Sequence, residues 1–502
     1  MDHRTRILIC SLITLAILTT GLFIFSYVPD DTFITLRYAR NVLRGEGFVF
    51  NAGEKVEGYT NYLWLLVLVF TGKLGAPLVV TARILSFTFS LGTLVLAAVA
   101  ARANGGAEQR AGSAECHEGP EPALGMFLTP MLLAASPPFL TWCLSGSELP
   151  LYTFLLLAGF MLLRTGARPG AAFVVFGLLG LVRPEGTLLY ALAFVGILVR
   201  SPRKTEVALK GLGIAAVFYA PYLVWKWRYF QAFVPNALYA ESGPPGLMLR
   251  NGTRYLFGFI LSYGYLLVVG LFLLHAAGRK HERLVVPLLL VAACWLGVLV
   301  LGGDWMPHYR LLLPTLPLVM LIVSEGVSAT ARGARASVLA LLFVFLAMAP
   351  GAVGYDSFLA ERVTVRAFAL LGQRLREILP PGTSIGCGST GAIGYYTDMP
   401  IVDILGRTER YIARHGQIVA TQPGHLKTDG AYVLERKPDL LLFGNVQIHR
   451  GEWERDRLRL KAQENETAAR TEFSRDYDFV NIPLGNDFYL SCFKRKHFFL
   501  PL

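Results

Sequence analysis

Long apolar runs broken by short polar segments fill the first two thirds of the chain. Residues 7–27 run 21 positions without a charge, and a transmembrane helix needs about 20 mostly apolar residues. No small-residue cleavage site follows, so the pattern predicts a retained helix rather than a signal peptide. Further apolar stretches run near 78–101, 123–141, 149–163, 171–182, 186–199, 211–229, 255–275, 284–301, 311–330 and 337–354. Eleven spans are therefore predicted, and an odd count puts the termini on opposite sides. The stretches 171–182 and 186–199 are short and meet at Arg183-Pro184-Glu185-Gly186. Charges and a helix breaker within apolar sequence are tolerated where they face protein or a watery cavity, here expected to open outward.

From about residue 355 the pattern changes to alternating short strands and helices. Segments 384–388, 401–405 and 439–443 read as buried strands, and 362–379 and 455–470 as helices. The expected fold is a polytopic α-helical membrane protein (1–354) followed by an extracytoplasmic α/β domain (355–502). No internal repeat is visible, and the only low-complexity tract is the polar loop 102–122.

Composition sharpens this division. The 502 residues are 54% hydrophobic and 16% charged, with mean hydropathy +0.48, whereas soluble domains are about 25% charged. Residues 1–354 hold 44 charges (about 12%) and residues 355–502 hold 38 (about 26%). The net charge of +12 divides into +10 and +2, so the basic excess belongs to the membrane part and points to anionic lipid or phosphate, not nucleic acid. With the N-terminus inside, 15 of the 27 Lys and Arg of residues 1–354 fall in inner loops. Six of the other twelve (Arg37, Arg40, Arg44, Lys55, Lys73, Arg83) sit in or beside one outer segment. The Lys/Arg rule thus predicts a cytoplasmic N-terminus and an outer C-terminal domain.

That outer segment carries the richest chemistry. Asp30 and Asp31 open an amphipathic helix on which Arg37, Arg40, Asn41 and Arg44 share about 100° of arc. The stripe predicts a helix lying on the membrane surface, with two carboxylates where a lipid-linked head group meets a water-borne acceptor. The plainer reading is a helix N-cap with lipid-facing arginines. Capping explains one Asp better than an adjacent pair, so the sequence assigns Asp30 as a general base and Asp31 as the cap. Glu57, Tyr59 and Asn61 follow, suited to sugar hydroxyls and ring faces, while Tyr62 and Trp64 read as an interfacial belt.

Three further outer clusters stand out: Ser145-Gly-Ser-Glu148, Arg183 with Glu185, and Gly302-Gly-Asp304-Trp-Met-Pro-His308-Tyr-Arg310. Arg183 and Arg310 suit phosphate, since a guanidinium fork matches its oxygens; the alternative is internal salt bridges, such as Arg183 with Glu185. No nucleotide phosphate loop, no dinucleotide fingerprint after a strand and no zincin histidine pair are read, and the sequence gives no support for a metal. Cys387 and Cys492 both lie in the outer domain, but nothing in the sequence fixes their proximity.

These blocks resemble the GT-C superfamily of polyprenyl-phosphate-sugar-dependent glycosyltransferases, and within it the terminal arabinofuranosyltransferases. The matching segments are DDTFITLRYARNVLRGEGFVFNAGEKVEGYTNYLW (30–64), SGSELPLY (145–152), LVRPEG (181–186), VPNALYA (234–240) and GGDWMPHYRLLLPTLPL (302–318). GAIGYYTDMPIVDILGRTERYIARH (391–415) and GHLKTDGAYVLERKPDLLLF (424–443) complete the set. The resemblance implies Asp30 and Asp31 as the catalytic pair. It places Arg183, Asp304 and Arg310 around the donor phosphate and sugar, and Arg37, Glu57, Tyr59, Asn61, Glu148, Glu185, Asn236 and His308 are read as further donor or substrate ligands. Leu149 after the glutamate and the missing threonine after Asn236 depart from the pattern, and both bear on donor or acceptor specificity.

A polyprenyl-phosphate donor carries its own leaving group, so a missing nucleotide loop is expected. A carboxylate deprotonates the acceptor while positive charge stabilises the departing lipid phosphate. Expected partners are the lipid-linked sugar, a cell-envelope polysaccharide and membrane lipids, with no nucleic acid, in a bacterial plasma membrane with the C-terminal domain periplasmic. Other lipid-linked sugars stay open as donors. A polytopic transporter or scaffold is the competing class, although transporters gather ionisable groups near the midplane, often with repeats.

Overall fold

The structure is a computed structural model, describing residues 3–109, 122–166, 168–278, 284–331, 333–444, 446 and 448–500. The middle of the expected polar loop, 110–121, lies outside the described residues, as do Arg279, Lys280, Arg283 and Arg332 of the inner-loop tally. The chain forms two compact units. One comprises residues 1–28, 79–222 and 249–359; the other comprises 29–78, 223–248 and 360–502.

The first unit is helical. Among the described residues, five helices are long and apolar enough to cross a membrane: Leu8–Phe25, Leu78–Ala103, Lys204–Phe230, Pro245–Ala276 and Arg310–Thr330. Met126–Ala135 and Pro137–Cys143, bent by 73° at their break, would make a sixth. Leu149–Thr165, Pro169–Val182, Gly186–Arg200, Val285–Leu301 and Arg335–Met348 are shorter apolar helices. Their outward faces carry Phe23, Val217, Val268, Phe272, Val300 and Phe345, all more than half exposed. Such apolar exteriors mark a membrane surface. Without a hydrophobic drive between helices, small residues set their approach. At Gly270 an added Cβ would lie 3.0 Å from the Val323 amide, and at Gly326 one would lie 2.9 Å from the Gly270 carbonyl. At the Arg-Pro-Glu-Gly break, a Cβ on Gly186 would meet the Leu179 carbonyl.

The second unit holds the Asp30–Leu43 and Tyr62–Lys73 helices and all the strands. These are β1 (Ile385–Cys387), β2 (Ile401–Asp403), β3 (Gln417–Ile418), β4 (Lys427–Thr428), β5 (Leu440–Leu441), β6 (Ile448–Arg450), β7 (Tyr477–Gly485) and β8 (Phe488–Arg495). β1 pairs in parallel with β2 (Ile385↔Ile401) and β5 (Ile385↔Leu440). β5, β6 and β7 all pair antiparallel with β8, while β3 and β4 form a separate hairpin. Wholly apolar β1 and β5 are fully buried, as parallel strands covered on both faces must be. Ile404, Ile412, Val433, Leu441, Phe443, Phe473 and Phe493 build the core.

The expected strands at 384–388, 401–405 and 439–443 are present as β1, β2 and β5, each shorter. The expected helix 362–379 starts earlier, as Tyr355–Ile378. The 455–470 helix is corrected to one 3₁₀ turn, Arg455–Arg457, and a separate helix, Ala462–Ala468. The β7–β8 hairpin was not anticipated. Its two-residue turn, Asn486-Asp487, has φ of 51° and 62°, the positive pair that matches a hairpin's twist. Cys387 and Cys492 are free, buried thiols.

Candidate functional site

Pro29 holds the N-cap position of the Asp30–Leu43 helix, and no side chain caps it. Asp30 and Asp31 are the first two helical residues, so their carboxylates diverge. Asp30, only 9% exposed, accepts hydrogen bonds from the amides of Gly391 (3.0 Å) and Ala392 (2.7 Å). Those amides open the Thr390–Thr397 helix. Asp30 therefore caps a helix distant in sequence, a capping role that was expected of Asp31.

The turn entering that helix reads Gly386-Cys387-Gly388-Ser389-Thr390-Gly391, a G-x-G-x-x-G between strand and helix. The expectation that the chain lacks such a fingerprint is corrected. In dinucleotide-binding folds this helix N-terminus takes a phosphate; here its anion is the protein's own Asp30. A Cβ on Gly391 would collide with the Asp30 main chain, so glycine is what permits the approach. Burial raises the Asp30 carboxyl above its ordinary value to about 6, with Asp31 pushing the same way and the two amides pulling back.

The other end of the same short helix meets the basic stripe. Arg37 donates to the carbonyls of Phe50 (2.8 Å), Gly394 (2.9 Å) and Met399 (2.8 Å). Arg40 reaches the Tyr395 carbonyl and Asp398, and Arg44 pairs with Asp398. Cations belong at a helix C-terminus and anions at its N-terminus, so one helix supplies both complements to the other's dipole. Arg37 is buried among carbonyls rather than presented to a donor, and the stripe does not lie on lipid.

Asp31 keeps a quarter of its side chain exposed and binds Arg407, Oδ1 to Nη1 at 2.5 Å. Arg407 also faces Glu241 (3.6 Å) and the Gly424 carbonyl (3.4 Å). Its loop is fixed from two sides. Asp403 accepts from the Leu405 and Thr408 amides and the Thr408 hydroxyl. Asn236 donates to the carbonyls of Gly406 (2.8 Å), Arg407 (3.0 Å) and Glu409 (3.3 Å). Asn236, expected at the substrate, thus holds the Arg407 loop.

Three other expected sugar ligands also face inward. Glu57 forms a buried ion pair with Lys226 at 2.7 Å, each side chain 2% exposed. Asn61 exchanges hydrogen bonds with Thr35, and Tyr59 packs against Tyr38 and Phe230. The polar ends of Glu57 and Asn61 are engaged in the scaffold of the loop. Trp64 is fully buried, not part of an interfacial belt; Tyr62 is half-buried against Trp225.

In the helical unit, Arg183 is gripped by Glu148 (2.8 Å) and Glu185 (2.5 Å), the internal bridge that was the alternative reading. Arg310 pairs with Asp304. His308 accepts or donates through Nδ1 to Thr141 at 2.7 Å and packs on Phe25 and Phe358. His308 and Tyr309 both adopt positive φ, 58° and 50°. Strained non-glycine residues of this kind cluster at functional sites. Arg183 and Glu185 form the polar end of a cleft of about 480 Å³, otherwise lined by Leu149, Leu188, Leu189, Val298, Leu301 and Leu311 among others. Among the described residues, no three His, Cys, Asp or Glu side chains are grouped to hold a metal ion.

Arg407, Lys226 and Asp403 were not singled out from the sequence. Arg407 lies within the quoted 391–415 block, but no local motif marks it. The fingerprint at 386–391 was legible and was missed.

Residues 349–492 match a family described as a domain of unknown function, DUF8728. The chain is similar to the terminal beta-(1->2)-arabinofuranosyltransferase of Corynebacterium glutamicum, 29% identical over 386 residues (66% of this chain, 53% of the relative). The protein of the same name from Mycobacterium tuberculosis is 29% identical over 285 residues (52% and 43%). The chain spans about half the length of these curated relatives. In fold it is similar to crystal structures of ArnT from Cupriavidus metallidurans. The apo state gives a TM-score of 0.57 at 13% identity, covering 97% of each chain. The form bound to undecaprenyl phosphate gives 0.54 at 12% identity, covering 98% of each. As the motifs implied, the chain stands beside the terminal arabinofuranosyltransferases in sequence and shares the helical membrane fold of ArnT.

Proposed function

We propose that this protein is an integral-membrane glycosyltransferase that moves a sugar, arabinofuranose by preference, from a polyprenyl phosphate to an extracytoplasmic glycan. The observation that carries the reading is the half-open Asp31 carboxylate on a rigid helix, in a chain similar to transferases of that name. Asp31 is the base. It takes the acceptor hydroxyl proton as the acceptor oxygen bonds to the sugar's anomeric carbon, and the bond from that carbon to phosphate breaks with its electrons on the lipid phosphate. Arg183 and Arg310 handle the phosphate, and the apolar lining beside Arg183 receives prenyl chain. Phosphate competes there with Glu148 and Glu185 for the guanidinium.

Eleven spans, an inner N-terminus and an outer C-terminal domain from about residue 355 complete the proposal. A single reactive cysteine at position 460 labelled only from the cytoplasm would overturn that orientation. The likeness in fold to ArnT, one structure of which is bound to undecaprenyl phosphate, supports a lipid-phosphate donor but not a particular sugar. That keeps open a second reading with another prenyl-phosphate sugar. Purified protein offered a panel of synthetic prenyl-phosphate sugars with arabinan and other glycan acceptors decides between them. Turnover of the arabinofuranosyl donor alone supports the first, turnover of another sugar the second, and turnover of none removes both.

A further inference from the structure

We infer that Arg407, contributed by the loop after β2, is a positioning residue for Asp31: it holds one carboxylate oxygen and keeps the base ionised and aimed. This rests on the transferase reading above. Arg407 Nη1 lies 2.5 Å from Asp31 Oδ1, and an opposite charge at that range favours the ionised form of a carboxylate. Arg407 is itself 8% exposed, and its main chain is clamped by the Asn236 amide and by the Asp403 cap of Thr408. Four further groups surround Asp31 and Arg407. Asp30 is adjacent and engaged with the Gly391 and Ala392 amides. Glu241 faces Arg407 from the Asn236–Glu241 helix. His425 interacts electrostatically with both Arg407 and Asp31, and burial lowers it to about 3, so it stays neutral in the working range. Lys461 bears on His425 from the far side. Arg407 thus binds Asp31 directly as a cation, by a held, short contact. The sequence separation of 376 residues means that the α/β part of the chain completes the chemistry of the first loop rather than only covering it.

The test is the pH profile of kcat/KM for full-length wild type, Arg407→Gln and Arg407→Lys in lipid nanodiscs, with a synthetic prenyl-phosphate arabinofuranose or whichever panel donor the wild type turns over. Loss of the cation should move the acid limb upward by about 1–3 pH units and lower kcat, with donor KM little changed; Lys should restore most of the limb but not the full rate. An unmoved limb with raised donor KM would make Arg407 a phosphate ligand and overturn the inference. Lowered melting temperature with an unmoved limb in the residual folded enzyme would reduce it to a structural residue. If Asp31→Asn keeps normal turnover, the transferase assignment of Asp31 fails first. If Asp31→Asn is inactive while the Arg407→Gln limb is unmoved, only the present inference fails.

Discussion

Asp30 and Ala392 are 362 positions apart in the chain, yet a carboxylate oxygen of one lies 2.7 Å from the amide of the other. The contact gives the two adjacent aspartates different duties. Asp30→Asn keeps an acceptor for one amide but turns an amide N–H toward the other donor. It should lose about 1–3 kcal/mol of stability, while Asp31→Asn should lose about 10²–10⁴ in rate with its melting temperature unchanged. Thermal melting and turnover measured on both variants check this. Inactivity of a fully stable Asp30→Asn protein would return the base to Asp30.

Burial of the same carboxylate, against the pull of the two amides, sets a pH dependence. The folded Asp30 carboxyl sits at about 6, above its ordinary value of 3.8, so between those values the native state binds the extra proton. Its contribution to stability is full below about pH 4 and declines as pH rises to about 6. The decline is on the order of 3 kcal/mol at most, at about 1.4 kcal/mol per unit. Wild type compared with Asp30→Asn by melting at pH 4.5 and 7 should show the difference shrinking with pH.

Gly391→Ala should separate the loop from its helix. The added methyl collides with the Asp30 main chain, and overpacking of this kind costs about 1–3 kcal/mol; activity should fall with it. Gly196→Ala is the control, because a Cβ there meets nothing within 4 Å and the position is helical. It should leave turnover intact and raise the melting temperature slightly.

Glu57 and Lys226 form a buried pair, and removing one member leaves the other's charge uncompensated. Glu57→Gln should cost about 3–5 kcal/mol, with Glu57→Gln/Lys226→Met less destabilised than either single change. Specific activity of the folded double variant should stay near wild type. A stable, inactive Glu57→Gln protein would instead restore Glu57 to the sugar site.

Arg183→Lys keeps the charge but cannot serve Glu148 and Glu185 through two faces of one fork. Under the transferase reading, both it and Arg183→Ala should weaken donor use at least about tenfold, about 1.4 kcal/mol. Unaltered donor affinity, measured by titrating the prenyl-phosphate sugar, would leave only the internal bridge.

The apolar runs were legible because a helix in lipid must be apolar along its length, and the strands 385–387 and 440–441 because burial on both faces leaves no polar position. What was hidden required partners far along the chain. Arg37, Arg40 and Arg44 read as a membrane-facing stripe, since sequence gives the arc they share but not what lies opposite. Glu57 and Asn61 look like sugar ligands until Lys226 and Thr35 are seen to occupy them. Arg407 has no local mark at all, because its meaning comes from Asp31, 376 positions earlier. The 386–391 turn was readable by spacing, but not the fact that its anion is internal.

Within this chain the loop bearing Asp30 and Asp31 is translated well before Gly391, Ala392 and Arg407, which complete it in space. At about 5–20 residues per second, the 362 positions between Asp30 and Ala392 represent roughly 20–70 s of synthesis. Throughout that interval Asp30 has no helix to cap and Asp31 no arginine to hold it. Under the transferase reading, the base of a nascent chain is not held until the segment carrying Arg407 has been made and folded. On that reading, a chain ending before residue 391 has neither the helix that Asp30 caps nor the arginine that holds Asp31.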